Sequence, residues 1–212
     1  MAHNHARDER TALCDLLAEL GPDQPTLCAG WTTRDLAAHL LLRERRPLAA
    51  PGIVFPPLAG YTERVRRRLA GRPFPALVAS VRRPPRWSPV ALAPIDRAAN
   101  TFELFIHHED VRRGQPEWRP RELPPGLAAA LWARVRPYAR LRLRRFPAPV
   151  TVDAPGHGQV RTGADGGGPP VRLAADPGEL ALFLTGRQGS ARVSLTGPEP
   201  LTRKLTTARL GL

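Results

Sequence analysis

Apolar residues recur at helical spacing from the start of the chain. In ARDERTALCDLLAEL (6–20), Leu13, Leu16, Leu17 and Leu20 fall on one stripe, and Gly21-Pro22 stops the run. WTTRDLAAHLLLRERRP predicts a second helix. Thr32 is its N-cap, with Asp35 three residues on as in a capping box, and Trp31 and Leu36 are placed as a hydrophobic staple. Pro47 ends it. A long ordered loop is expected over 47–60, then helical patterning over 61–70 and about 74–82. A Pro-rich connector, PPRWSPVALAP, leads into a helix near 96–113, which Gly114 closes as a C′ glycine. Residues 125–145 read as an arginine-studded helix kinked at Pro137. Together these predict a helical bundle over 1–146.

The period changes after Phe146. PVTVDA and QVRTG alternate like strands around a Gly-His-Gly turn, and VRLAAD and ARVSLTG read as further strands. PGELALFLTGR and PLTRKLTTARL read as short helices. The expected architecture is therefore an α bundle followed by a small α+β domain over 147–212.

Hydrophobic residues make up 42% of the 212, enough for a packed core. No run approaches the ~18 apolar residues that a bilayer span needs, and the polar N-terminus lacks the apolar segment of a secretory signal. A cytoplasmic protein without membrane contact is expected. His3 and His5 read as part of a solvated terminus. Cys14 falls on the apolar stripe of the first helix as a small hydrophobe, and Cys28 sits in a loop as a free thiol. Neither has the spacing of a metal or redox pair. The net charge of +13 invites a nucleic-acid partner. Lys204 is the only lysine, however, and arginine is abundant together with alanine, proline and glycine, as in a GC-rich genome. Runs such as RVRRR (64–68) read as solvated helix faces.

The candidate chemistry lies in TFELFIHHEDVRR (101–113). On a helix, Glu103 and His107 share a face one turn apart, with Asp110 on the same line and His108 turned ~100° away. Ala99 and Ile106 flank that line and direct it to the core, where a bare carboxylate is costly. A divalent ion answers both groups at once. His39, between leucines on the second helix, is the further ligand if the two helices are neighbours. Two plainer readings stand beside this one. His39 is a core histidine bonded to a backbone carbonyl, or Glu103 forms a structural ion pair with Arg43 or Arg97.

GWTTRDLAAHL followed by ELFIHHED resembles the DinB-like metal-binding bundles, and in particular the actinobacterial branch that includes mycothiol-dependent maleylpyruvate isomerases. Trp31, Asp35, His39, Glu103, His107 and Asp110 match that pattern in order, and DPGELALFLTGRQGSARVSLTGP resembles the small domain that follows the bundle. The resemblance implies a divalent metal, usually zinc, on His39, Glu103 and His107. Asp110 either orients a ligating imidazole or stabilises a helix contact. Arg43 is a candidate to hold a small anionic substrate, with a solvated arginine as the alternative. The implied function is a metal-dependent transferase or isomerase using a low-molecular-weight thiol. A non-catalytic metal-binding module and a basic nucleic-acid binder are the alternatives.

Overall fold

A computed structural model of the chain describes residues 3–83, 100–164 and 168–211. It divides by compactness into Met1–Arg119 and Pro120–Leu212. The Pro-rich connector, the Arg97 partner and residues 96–99 at the start of the expected helix lie outside the described residues.

The first unit contains α1 (His5–Leu20), α2 (Thr33–Arg45), α3 (Ala59–Ala70), α4 (Phe74–Arg82) and α5 (Thr101–Arg112). α1 starts where the Asn4 side chain accepts the Arg7 N–H, and ends at Gly21, whose φ of 78° suits glycine. At the start of α2 the Asp35 carboxylate accepts both the Thr32 backbone N–H (3.1 Å) and the Thr32 hydroxyl (3.2 Å). The loop expected over 47–60 is tightened into two short 3₁₀ turns, Ala50–Ile53 and Pro56–Leu58, and α3 begins at Ala59.

α1 packs mainly on α5 and α4, and α2 on α3 and α4. Leu13, Leu17, Leu36, Leu40, Leu41, Leu42, Leu77 and Leu104 are fully buried there. Burial of one such side chain contributes roughly 1.5–3 kcal/mol. α5 differs from its neighbours: apart from Glu103, every residue from Thr101 to Val111 is buried. It is an enclosed helix that carries titratable groups, and each must find a partner on the element it faces.

The second unit holds α6 (Pro125–Leu143), β1 (Val150–Ala154), β2 (Gly158–Thr162), β3 (Val171–Ala174), α7 (Pro177–Leu184), β4 (Ser194–Thr196) and α8 (Glu199–Thr206). The sheet order is β2-β1-β3-β4. β1 pairs antiparallel with β2 (Val152 opposite Val160) and parallel with β3 (Val152 opposite Leu173), and β3 pairs antiparallel with β4. α7 is buried along its whole length and packs on α6, which also lies against β2 and β1. The helix expected as the last of the bundle thus packs within the sheet-containing unit, and Pro137 sits inside it without ending it. Among the described residues no helix is long and apolar enough to cross a membrane.

Charges buried in the first unit are matched across helices. Arg10 of α1 donates to Glu44 of α2 (2.9 Å) and to the Val81 carbonyl of α4 (3.0 Å), with both side chains almost fully enclosed. Arg10 Nη2 and Glu44 Oε1 of the same pair lie 2.7 Å apart. Removing one partner of such a pair strands the other charge. Glu44→Ala is expected to cost about 3–5 kcal/mol in urea unfolding, well beyond the loss for the exposed pair partner Asp15→Ala.

Candidate metal centre

The loop between α1 and α2 is fastened to the C-terminal end of α5. The Leu27 N–H donates to the Asp110 carbonyl (3.0 Å), and the Gln115 side chain donates to the Pro25 carbonyl (3.1 Å). Gly114 permits this approach. The sequence suggested a left-handed C′ glycine, but its φ is not positive. What requires glycine is space: a Cβ would lie 2.5 Å from the Pro25 carbonyl oxygen and 2.8 Å from Thr26 Cα. The docked loop brings Trp31 over α2 and Cys28 against α5.

His39 and His107 face each other edge to face, ring centroids 5.1 Å apart. Trp31 covers the other side of His39 at 5.1 Å. His39 is 9% exposed, and no hydrogen bond to either ring nitrogen is found among the described residues. Burial, followed by the positive charge of His107, Arg43 and Arg66, pushes its pKa down to about 3, against a smaller opposing pull from Asp110. The ring is therefore neutral at physiological pH, with a lone pair available. The core-histidine reading required a backbone carbonyl partner, and none is present among the described residues.

His107 is held from one side. Its Nδ1 lies 3.0 Å from Asp110 Oδ2, and Asp110 is fully buried. With Nδ1–H donating to that carboxylate, the Nε2 lone pair points the other way, where Glu103 Oε2 lies 3.8 Å off. Two donors bound to one tetrahedral zinc are about 3.3 Å apart, so the Glu103–His107 spacing is close to what an ion needs and too long for a hydrogen bond. Glu103 is not fully drawn into the core as the helical spacing suggested: its side chain is 39% exposed, and Arg43 approaches it at 3.7 Å. Arg43 in turn donates to Asn100 Oδ1 (2.7 Å). Arg43 is thus anchored beside the candidate ligands rather than solvated.

Among the described residues, two groups have all their ligand atoms within 4.8 Å of one another: His3–His5–Asp8 and Cys28–His107–Asp110. His39, Glu103 and His107 do not form such a group; His39 and Glu103 each lie beside His107, and Glu103 is also approached by Arg43. In the Cys28 group, Asp110 Oδ2 sits within hydrogen-bond distance of both Cys28 Sγ (3.2 Å) and His107 Nδ1. Cys28 is the site residue that the sequence reading passed over. It stands 82 positions from Asp110, and no spacing pattern marks it. The neighbouring His108 belongs to a different pair, with its Nδ1 2.9 Å from buried Glu9 of α1. Glu109 accepts from Arg112 and Arg113.

No family model matches the chain, and no curated protein does. Among solved structures, a crystal structure of the mycothiol-dependent maleylpyruvate isomerase matches over 91% of this chain and 90% of that one, at a TM-score of 0.47 and 13% identity. That similarity is too low to carry site residues from one chain to the other.

Behind Trp31, the Arg66 guanidinium lies over the indole at 4.9 Å and pairs with Asp35 and Glu63. Hydrogen bonds from Arg66, and then Arg67, hold the Glu63 pKa down at about 2 against burial. For Asp35, burial is outweighed by hydrogen bonds from Arg66 and the Thr32 N–H, and its pKa is lowered.

Two outcomes follow from this geometry. Gly114→Ala is expected to destabilise the protein by about 1–3 kcal/mol in chemical denaturation, because Pro25 must be displaced. Both carboxylates around Arg66 have folded pKa values below their unfolded ones, near 4. Their contribution is complete above that value and lost as pH falls toward about 2. The stability difference between wild type and Arg66→Met, measured by urea titration, is therefore expected to be largest near neutral pH and to shrink steadily below about pH 4.

Proposed function

We propose that the first unit binds one divalent metal ion through His39, Glu103 and His107, and that the protein is a metal-dependent transferase or isomerase acting with a low-molecular-weight thiol. The observation that carries the reading is the pair of buried imidazoles. His39 is neutral, and no hydrogen-bond partner is found for it among the described residues; it faces His107, whose opposite nitrogen is tied to Asp110. A neutral imidazole has a lone pair that an ion can use. Two imidazoles and one carboxylate suit zinc and similar borderline ions, and three protein ligands leave a position open.

When bound, the ion supplies positive charge that favours the thiolate form of a small thiol. The chain's own residues do the rest. Asp110 fixes the tautomer and tilt of His107. Trp31 shields His39 from water on its outer face. Arg43, oriented by Asn100, offers a guanidinium to a small anionic substrate beside Glu103. The family resemblance of WTTRDLAAHL and ELFIHHED names mycothiol as the thiol. The alternative donor set, Cys28 with His107 and Asp110, would use the other nitrogen of His107, and its three atoms are already satisfied by one another.

Elemental analysis of the purified protein beside a His39→Ala/Glu103→Ala/His107→Ala variant tests the site. The expected result is near-stoichiometric zinc or a similar divalent ion in the wild type and trace amounts in the variant. Equal trace amounts in both, or metal retained in the variant, would overturn it. Titration of the metal-loaded protein with mycothiol then distinguishes a thiol-using enzyme from a module that only holds metal.

A further inference from the structure

We infer that Cys28 is a positioning residue for the metal site, acting through Asp110 on His107. This rests on the metal reading above and assigns the cysteine a part in it. Three observations point to it. Cys28 Sγ lies 3.2 Å from Asp110 Oδ2, the same oxygen that lies 3.0 Å from His107 Nδ1. The thiol is half-buried in a loop that is itself tied to the Asp110 carbonyl through the Leu27 N–H. The lone pair left by this arrangement is on His107 Nε2, on the side of Glu103, and the His39 ring faces that of His107.

A carboxylate rotates freely about its last bond unless donors fix it. Two donors converging on Oδ2, one from the loop and one from the same helix, hold that oxygen where His107 needs it. The thiol is the donor in this contact, because the carboxylate only accepts. Cys28 therefore acts in this contact as a hydrogen-bond donor to Asp110. It is neither a nucleophile nor a ligand here, and it works by turning the Asp110 carboxylate. Serine preserves a donor at this position, whereas alanine removes it.

The test compares Cys28→Ser, Cys28→Ala, Asp110→Ala and the Cys28→Ala/Asp110→Ala double variant, with cobalt(II) as probe and a chromophoric chelator as competitor. Loss of an outer partner of a metal-bound histidine typically weakens binding 10–100-fold. Asp110→Ala is expected in that range. Cys28→Ala, one step further out, is expected to weaken binding by about three- to tenfold. Cys28→Ser is expected to bind as the wild type does. In the double variant the loss is expected to equal that of Asp110→Ala alone, because the cysteine acts through the aspartate. Unchanged affinity in Cys28→Ala, or additive losses in the double variant, would overturn the inference. So would a sulfur-to-cobalt charge-transfer band that disappears in Cys28→Ser, since that makes Cys28 a ligand. A second measurement needs no metal: nitrogen-resolved imidazole NMR of the metal-free protein. The expected result is Nδ1-protonated His107 in the wild type and Cys28→Ser, and a mixture of tautomers in Cys28→Ala. If the wild type takes up no metal, the functional reading fails. The tautomer comparison then judges the Cys28–Asp110–His107 relay by itself: a mixture in Cys28→Ala supports it, and a match to the wild type overturns it.

Discussion

Asp110 has no exposed surface, and a carboxylate in that position must be surrounded by donors or give up its charge. The surroundings of this one group organise much of the first unit. His107 meets it from one turn back along the same helix, and Cys28 meets it from a loop far away in sequence. The backbone of the same residue accepts the Leu27 N–H and closes the loop onto the helix end. The imidazole that Asp110 orients then faces the second imidazole. Loop docking and the hydrogen bonding of His107 thus both converge on a single buried carboxylate.

The rest of α5 repeats the arrangement on its other faces. His108 looks to Glu9 of α1, Glu109 to the two arginines that follow it, and Glu103 to Arg43 of α2. An enclosed helix normally carries only apolar residues. Here the apolar positions Leu104, Phe105 and Val111 supply burial, while the titratable ones bind particular neighbours in one alignment. The buried Arg10–Glu44 pair does the same between α1 and α2. A packing that separated the partners of such a pair would strand a buried charge.

Much of this was legible in the residues. The leucine stripe of α1, the Thr32–Asp35 start of α2, and the change of period after Phe146 are local patterns, and local patterns survive without knowledge of the fold. Helical spacing put Asp110 on the same line as His107 but left open whether it meets an imidazole or a helix contact, and the fold brings it to His107. Three features were not legible. The partner of His108 sits on a helix nearly a hundred residues away. Cys28 reaches Asp110 only because the loop docks, and a loop has no period from which docking can be read. The helix Pro125–Leu143 has arginines and apolar positions suited to either a bundle or a sheet, and only packing decides between them. Gly114 was noticed for the wrong reason. Helix ends commonly want a left-handed glycine, whereas this one lacks a side chain so that two segments of backbone can touch.

The many-sided pairing of α5 also bears on how the chain tolerates change in length. An added or deleted residue between Glu103 and Asp110 would turn everything beyond it by about 100°. His108 would swing off Glu9, and Asp110 would leave Cys28, in the same step. Insertions can be absorbed in the surface turns, but this helix admits none: its register is a ratchet with a single tooth.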